Sequence, residues 1–223
     1  MPVTYYTKKE YDEITDISNA FSRMIGRLEL NEGATQFMKE QKKGENKEEW
    51  RFIPYSNITT LARLFREIYK YRVTGDRYFL ELGSGIGVKT KIASEIGYRA
   101  IGIEKNPELV KKAKQYWEDV QLGSMFLKFK KGDVMNSKKD IKWAKVIYTY
   151  SPFKTDEKCV SFIDYIVENM KKGSVLIYKS HKGAEDIRLE GYAKEGVLEP
   201  VLTEYGLFFK KIKVTNKKKG AKK

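Results

Sequence analysis

The chain has 223 residues, 41% of them hydrophobic and 33% charged, with a formal net charge of +14. That is enough apolar side chain for one α/β domain with a small appendage, and no run approaches the roughly 20 apolar residues a bilayer crossing needs. The start, MPVTYYTKKEYDE, lacks the apolar centre of a signal peptide, and the single cysteine, Cys159, permits neither an internal disulfide nor a zinc site of its own. A cytoplasmic protein with no membrane attachment and no metal is expected.

In chain order, residues 9–28 set Tyr11, Ile14, Ile17, Phe21, Met24, Ile25 and Leu28 near helical spacing, so residues 1–50 read as a helical extension. Its second half, KEQKKGENKEE (39–49), is charged or polar and reads as a loop, which Trp50, Phe52, Ile53 and Pro54 end. Ser56 or Asn57 is placed to cap a helix running to about Tyr71, with Ile58, Leu61, Leu64, Phe65 and Ile68 on one face. From Gly75 onward the pattern alternates: strand 78–82, helix 88–96, strand 99–103, then a helix capped by Asn106 and started by Pro107. Strands at 126–130, 145–150 and 174–179 follow, with a helix at about 156–171. Short apolar strands alternating with amphipathic helices imply a parallel sheet covered on both faces. The segments 197–202 and 205–214, separated by Thr203 and Glu204, predict a terminal antiparallel hairpin.

The chemistry gathers around FLELGSGIGVKT (79–90), where Glu81 precedes Gly83, Gly85 and Gly87 at the end of a strand. Glycine lets such a turn be tight and lets its amides approach a ligand, and open α/β sheets bind ligands beyond the carboxyl ends of their strands. A dinucleotide-binding turn has its third glycine one residue later, where this chain has Val88, which disfavours a nicotinamide oxidoreductase. A second acid, Glu104, ends the next strand and suits a ribose with free hydroxyls. Each acid also has a plain reading: Glu81 as an acceptor for buried amides, Glu104 as a surface charge beside Lys105.

Taken together, Glu81-x-Gly83-x-Gly85-x-Gly87, Glu104, KKGDVMN (130–136) and YTYSPF (148–153) resemble, in order, the motifs of class I S-adenosylmethionine-dependent methyltransferases over about residues 78 to 180. The resemblance implies an α/β, Rossmann-like, seven-stranded, mostly parallel sheet with a terminal antiparallel hairpin and a helical N-terminal extension. The methyltransferase domain would occupy residues 51–214. It implies S-adenosylmethionine as cofactor, with Glu81 on the amino group of the methionine moiety and the Gly83, Ser84, Gly85 and Gly87 bend against it. Glu104 and Lys105 would lie by the ribose, and Asp133 and Val134 by the adenine.

Tyr150, Ser151, Pro152 and Phe153 then fall where the family places its acceptor and the transferable methyl, which implies Tyr150 on the cofactor as well. YSPF is similar to the [DNS]PP[YF] motif of enzymes that methylate nucleic-acid amines, but Tyr150 holds the polar position and Ser151 replaces the first proline. Pro152 and Phe153 shaping a loop is an equal alternative. Tyr148 and Tyr150 fall on one side of their strand and are expected to share one environment. The helical N-terminus, the RFIPYS element (51–56) and the basic flank resemble, more coarsely, the non-SET protein-lysine methyltransferases, which implies a cofactor lid containing Tyr55 and Ser56. The competing reading makes Trp50 and Phe52 core anchors. His181, the lone histidine, is either a general base or a solvent-facing loop residue.

More than half of the +14 charge sits in KKIKVTNKKKGAKK (210–223), which has eight lysines and no acid. Residues 215–223 read as a solvated, disordered tail or as a tether to nucleic acid. A macromolecular substrate follows from these features, with protein lysine narrowly ahead of RNA or DNA. A small-molecule methyltransferase and a non-catalytic nucleic-acid-binding module on the same fold stay open.

Overall fold

Alternation along the strands decides which helices cover each face. In the computed structural model, residues 58–73, 75–118, 126–150, 152–153, 155–179, 183–204 and 206–213 are described. The expected helix over 9–28, Tyr55, Ser56, Ser151, His181 and the segment after Lys213 lie outside them. The order is α1 (Ile58–Tyr71), β1 (Tyr78–Leu82), α2 (Val88–Ile96), β2 (Arg99–Glu104), α3 (Pro107–Glu118), β3 (Leu127–Lys131), α4 (Lys138–Trp143), β4 (Val146–Tyr150), α5 (Asp156–Asn169), β5 (Val175–Lys179), α6 (Gly183–Lys194), β6 (Leu198–Thr203) and β7 (Gly206–Lys211).

The seven strands form one sheet in the order β3-β2-β1-β4-β5-β7-β6. The first five pair in parallel, and β7 runs antiparallel to both β5 and β6. The expected mostly parallel sheet with a reversed terminal hairpin is thus present. The strand order changes direction at β1, which has β2 on one side and β4 on the other. A crevice opens at such a point because the connections leave toward opposite sides.

Phe79, Ala100, Phe129, Val146, Tyr148 and Ile177 pack with α1, α2 and α3, whereas Leu80, Leu82, Ile103, Ile147 and Leu176 pack with α4, α5 and α6. Alternate residues of a strand point to opposite faces, so each strand feeds both layers. The predicted stripe of α1 is buried at Leu61, Leu64, Phe65 and Ile68, matching one helical face. Among the described residues, no helix is long and apolar enough to cross a membrane.

Two helices escape the periodicity reading. Helix α4 has six residues, too short to show a repeat, and buries only Ile141. Helix α6 exposes Ile187 at 71% yet buries Glu185, whose carboxylate accepts a 2.9 Å hydrogen bond from the Tyr178 hydroxyl. An apolar residue outside and an acid inside erase the sequence stripe. The hairpin turn falls after Thr203, one residue later than expected, and the predicted strand ends shift by one to three residues.

The expectation that Tyr148 and Tyr150 share an environment is corrected. Alternation puts both on one side of β4, but Tyr148 is 1% exposed and meets Phe65 edge-on at 5.8 Å, whereas Tyr150 is only partly buried. Tyr150 is the last residue of β4, two residues beyond the α1 contact, where the strand leaves the core.

Candidate functional site

The bend after β1 is built by three glycines with positive φ: Gly83 at 76°, Gly85 at 55° and Gly87 at 79°. The amides of Gly83 and Ser84 both donate to the Ile103 carbonyl, at 2.9 and 3.0 Å, and the Gly87 amide donates to the Ser84 carbonyl at 2.8 Å. L-residues avoid this backbone region, which explains glycine at all three positions. Their surroundings differ. A Cβ on Gly85 would meet nothing within 4 Å, one on Gly83 would touch Pro152 Cβ at 3.7 Å, and one on Gly87 would fall 2.1 Å from Phe129 Cε1. Gly85 therefore faces open space where a ligand can approach backbone, while Gly87 gives its missing side chain to core packing.

Three supports of this bend were not legible in the motif. Trp117 of α3 is buried and its indole N–H donates to the Ile86 carbonyl at 2.5 Å. Gly102 of β2 leaves room for the bend, since a Cβ there would lie 2.8 Å from both Ser84 Oγ and Thr90 Oγ1. Ser84 is 5% exposed, with its hydroxyl toward Gly102 of β2. The third support is Thr90. Its backbone N–H and its hydroxyl both donate to Glu81 Oε2, at 2.8 and 2.5 Å, and tie the first turn of α2 to β1.

Glu81 is 1% exposed, and burial pushes its carboxyl up to about 7, against lowering by Lys89 and the two Thr90 bonds and a further push from Glu104. A folded-state value above the unfolded 4.5 means that the native state holds the extra proton between those limits. Stability therefore falls as pH rises from about 4.5 to about 7 and stays lowered above, by on the order of 3 kcal/mol. Glu81→Gln keeps an oxygen for Thr90 and removes the charge. We expect urea titrations to show this variant exceeding the wild type at pH 8, with the gap closing near pH 4.5. A gap independent of pH contradicts the burial of this carboxylate.

Glu104 ends β2 at 5% exposure with both oxygens engaged. Oε2 accepts from the Gly85 amide and Oε1 from the Asn106 amide, each at 2.9 Å. A carboxylate oxygen has two lone pairs, so each keeps one acceptor position. This carboxylate is no loose surface charge: it is aimed by the glycine bend on one side and by the turn into α3 on the other. Asn106 caps α3 as expected, accepting from the Glu108 amide at 2.9 Å.

Beyond β3, Asp133 Oδ1 accepts from the Met135 amide at 2.9 Å, and Oδ2 lies 3.9 Å from Lys105 Nζ. Asp133 and Lys105 have side chains 39% and 51% exposed, so this pair adds little stability. Val134 is buried beneath it in the α4 to α6 layer. Glu104, Lys105 and Asp133 come from neighbouring strand ends, and the Gly132 amide donates to the Glu104 carbonyl at 2.9 Å.

On the other side of the switch point, Thr149 Oγ1 donates to the Leu82 carbonyl at 3.0 Å, locking β4 beside the bend. Pro152 and Phe153 are both partly buried. Phe153 meets Phe162 of α5 edge-on at 5.3 Å, and its carbonyl accepts from the buried Cys159 thiol at 3.3 Å. The ring thus anchors the loop to the core, the plainer of its two sequence readings. Pro152 lies beside the bend, its Cβ 3.7 Å from where a Cβ on Gly83 would stand, and Tyr150 ends β4 two residues before it.

No family model matches the chain, and no curated protein matches its sequence. Its fold does match solved structures. A candidate caffeoyl-CoA O-methyltransferase from Staphylococcus aureus is similar at 15% identity and a TM-score of 0.53, over 86% of this chain and 99% of that one. A Podospora anserina methyltransferase with bound S-adenosylhomocysteine has 11% identity and a TM-score of 0.51, over 82% and 97%. Magnesium protoporphyrin IX methyltransferase from Synechocystis, also with S-adenosylhomocysteine, has 10% identity and a TM-score of 0.51, over 67% and 78%. With its sheet order and glycine bend, the chain has the class I, Rossmann-like S-adenosylmethionine-dependent methyltransferase fold.

Proposed function

We propose that the chain transfers the methyl group of S-adenosylmethionine to a macromolecule, with protein lysine as the favoured acceptor. The observation that carries this reading is the Glu104 carboxylate, fixed by the Gly85 and Asn106 amides and left with one acceptor position on each oxygen. Two adjacent ribose hydroxyls match that donor demand. The open space at Gly85 admits the ligand backbone-close, and Asp133 Oδ2 suits an adenine amino group. Glu81 Oε1 accepts no bond among the described residues and would meet the ammonium of the methionine moiety, directly or through water.

When bound, the cofactor supplies an activated methyl on a sulfonium with a neutral thioether as leaving group. The chain's residues have the task of positioning and of excluding water. Tyr150 and Pro152 flank the crevice where an acceptor must arrive in line. The Phe153 ring is held by Phe162, which leaves it poorly placed to stack on an extruded base and favours a protein acceptor. The RFIPYS element and basic flank support the same choice, with Tyr55 and Ser56 as lid residues.

The test adds purified wild type or Glu104→Ala to a heated lysate with methyl-tritiated cofactor, then splits the product for protease or nuclease digestion. Label above background with wild type alone, removed by protease, is expected. Nuclease-sensitive label moves the acceptor to nucleic acid, and no label in either fraction rejects macromolecular methyl transfer.

A further inference from the structure

The two oxygens of the Glu81 carboxylate stand in unlike surroundings. Oε2 accepts from both the backbone N–H and the hydroxyl of Thr90, at 2.8 and 2.5 Å. A carboxylate oxygen offers two lone-pair positions, so Thr90 fills this one completely. Oε1 accepts no bond among the described residues. The arrangement follows from the start of α2. Gly87, its N-cap residue, has no side chain to cap with, and the Thr90 amide lies in the first turn, where no carbonyl of the helix reaches it. Glu81 reaches across from β1 and takes the place of the missing cap.

Burial raises this carboxyl to about 7, while Lys89 of α2 and the two Thr90 bonds lower it and Glu104 at the end of β2 raises it further. In the sheet, Gly102 of β2 and Tyr148 of β4 stand opposite Glu81 in register. Below neutrality the acid therefore holds a proton, and the geometry decides which oxygen carries it.

We propose that Thr90 is a positioning residue for the methionine end of the cofactor: by filling Oε2 it sends the Glu81 proton to Oε1, where the ligand's ammonium binds only as that proton leaves. This rests on Glu81 meeting the ammonium, as in the function proposed above. An O–H turned to an ammonium sets donor against donor, whereas a bare carboxylate oxygen makes a charge-assisted bond. The proton goes to solvent and an ion pair takes its place. Affinity for the methionine end therefore rises with pH up to about 7 and levels off above it.

The experiment is calorimetry between pH 5.5 and 7 with S-adenosylhomocysteine and with methylthioadenosine, which keeps the adenosine and lacks the amino acid. The ammonium and carboxylate of the first ligand keep their charges over this range. Wild type is expected to gain about 10-fold in affinity for S-adenosylhomocysteine across it. At pH 6 it should release about one proton per ligand, read from buffers of different ionisation enthalpy. Methylthioadenosine should show neither effect. Thr90→Val keeps the amide and the shape but loses the hydroxyl bond that favours the charged form. Its affinity for S-adenosylhomocysteine at pH 7 should fall about 5-fold, with methylthioadenosine unchanged and Thr90→Ser restoring the loss. Equal pH slopes for the two ligands overturn the proposal, as a proton on Oε2 donated to the Thr90 hydroxyl would give. So does a Thr90→Val variant that binds both ligands like wild type or loses both equally. If wild type binds neither ligand, the cofactor reading itself falls, and this proposal with it.

Discussion

Glu104→Ala is expected to weaken binding of S-adenosylhomocysteine by 10- to 100-fold in calorimetry. The variant removes two acceptor positions aimed at the crevice and frees the Gly85 and Asn106 amides that aim them. Charge-assisted bonds to hydroxyls account for the larger share, since the partly exposed Gly85 amide can turn to water. Glu104→Gln separates the two effects. Its amide oxygen can serve one backbone donor but not both, so an intermediate loss is expected with a thermal midpoint close to wild type. If Glu104→Ala binds as tightly as wild type, the carboxylate serves only to brace the bend and the cofactor site lies elsewhere.

Gly87→Ala is the largest expected stability loss, about 2–5 kcal/mol. Left-handed backbone costs alanine about 1–2 kcal/mol, and forcing a methyl into the Phe129 ring adds about 1–3 kcal/mol of overpacking. Gly85→Ala is the control, because it has the same sign of φ and open space around it. It should lose only the conformational part, about 1–2 kcal/mol. Chemical denaturation of both variants and of Gly87→Ala with Phe129→Leu reads the difference, and the double variant should recover part of it. Equal losses for the two single variants would mean that Phe129 does not limit the bend.

Strands β1, β4 and β5 were readable because each is a short apolar run between turn signals, and a buried two-faced strand needs that composition, whereas β3, LKFKK at the sheet edge, buries only Phe129. Helix α1 was readable because Leu61, Leu64, Phe65 and Ile68 fall on one stripe. Helix α6 was not, since its inward Glu185 is satisfied by a tyrosine from a different element, which no local pattern encodes. The same holds at the site. Glu81, Gly83, Gly85, Glu104 and Asp133 could be nominated from the sequence because they stand at or just beyond strand ends. Thr90 and Gly102 were not, because their roles arise only when α2 and β2 are brought against the bend. The fates of Tyr148 and Tyr150 parted for a related reason: strand alternation fixes a side, but the reach of α1 decides where that side stops being core.

Pro152 Cβ lies 3.7 Å from where a Cβ on Gly83 would stand, so the segment expected to greet the acceptor sits beside the one expected to cradle the donor, about one methyl group away. Whatever free energy passes between two sites so close acts equally in both directions, because binding linkage is reciprocal. Donor and acceptor would then alter each other's affinity by the same factor.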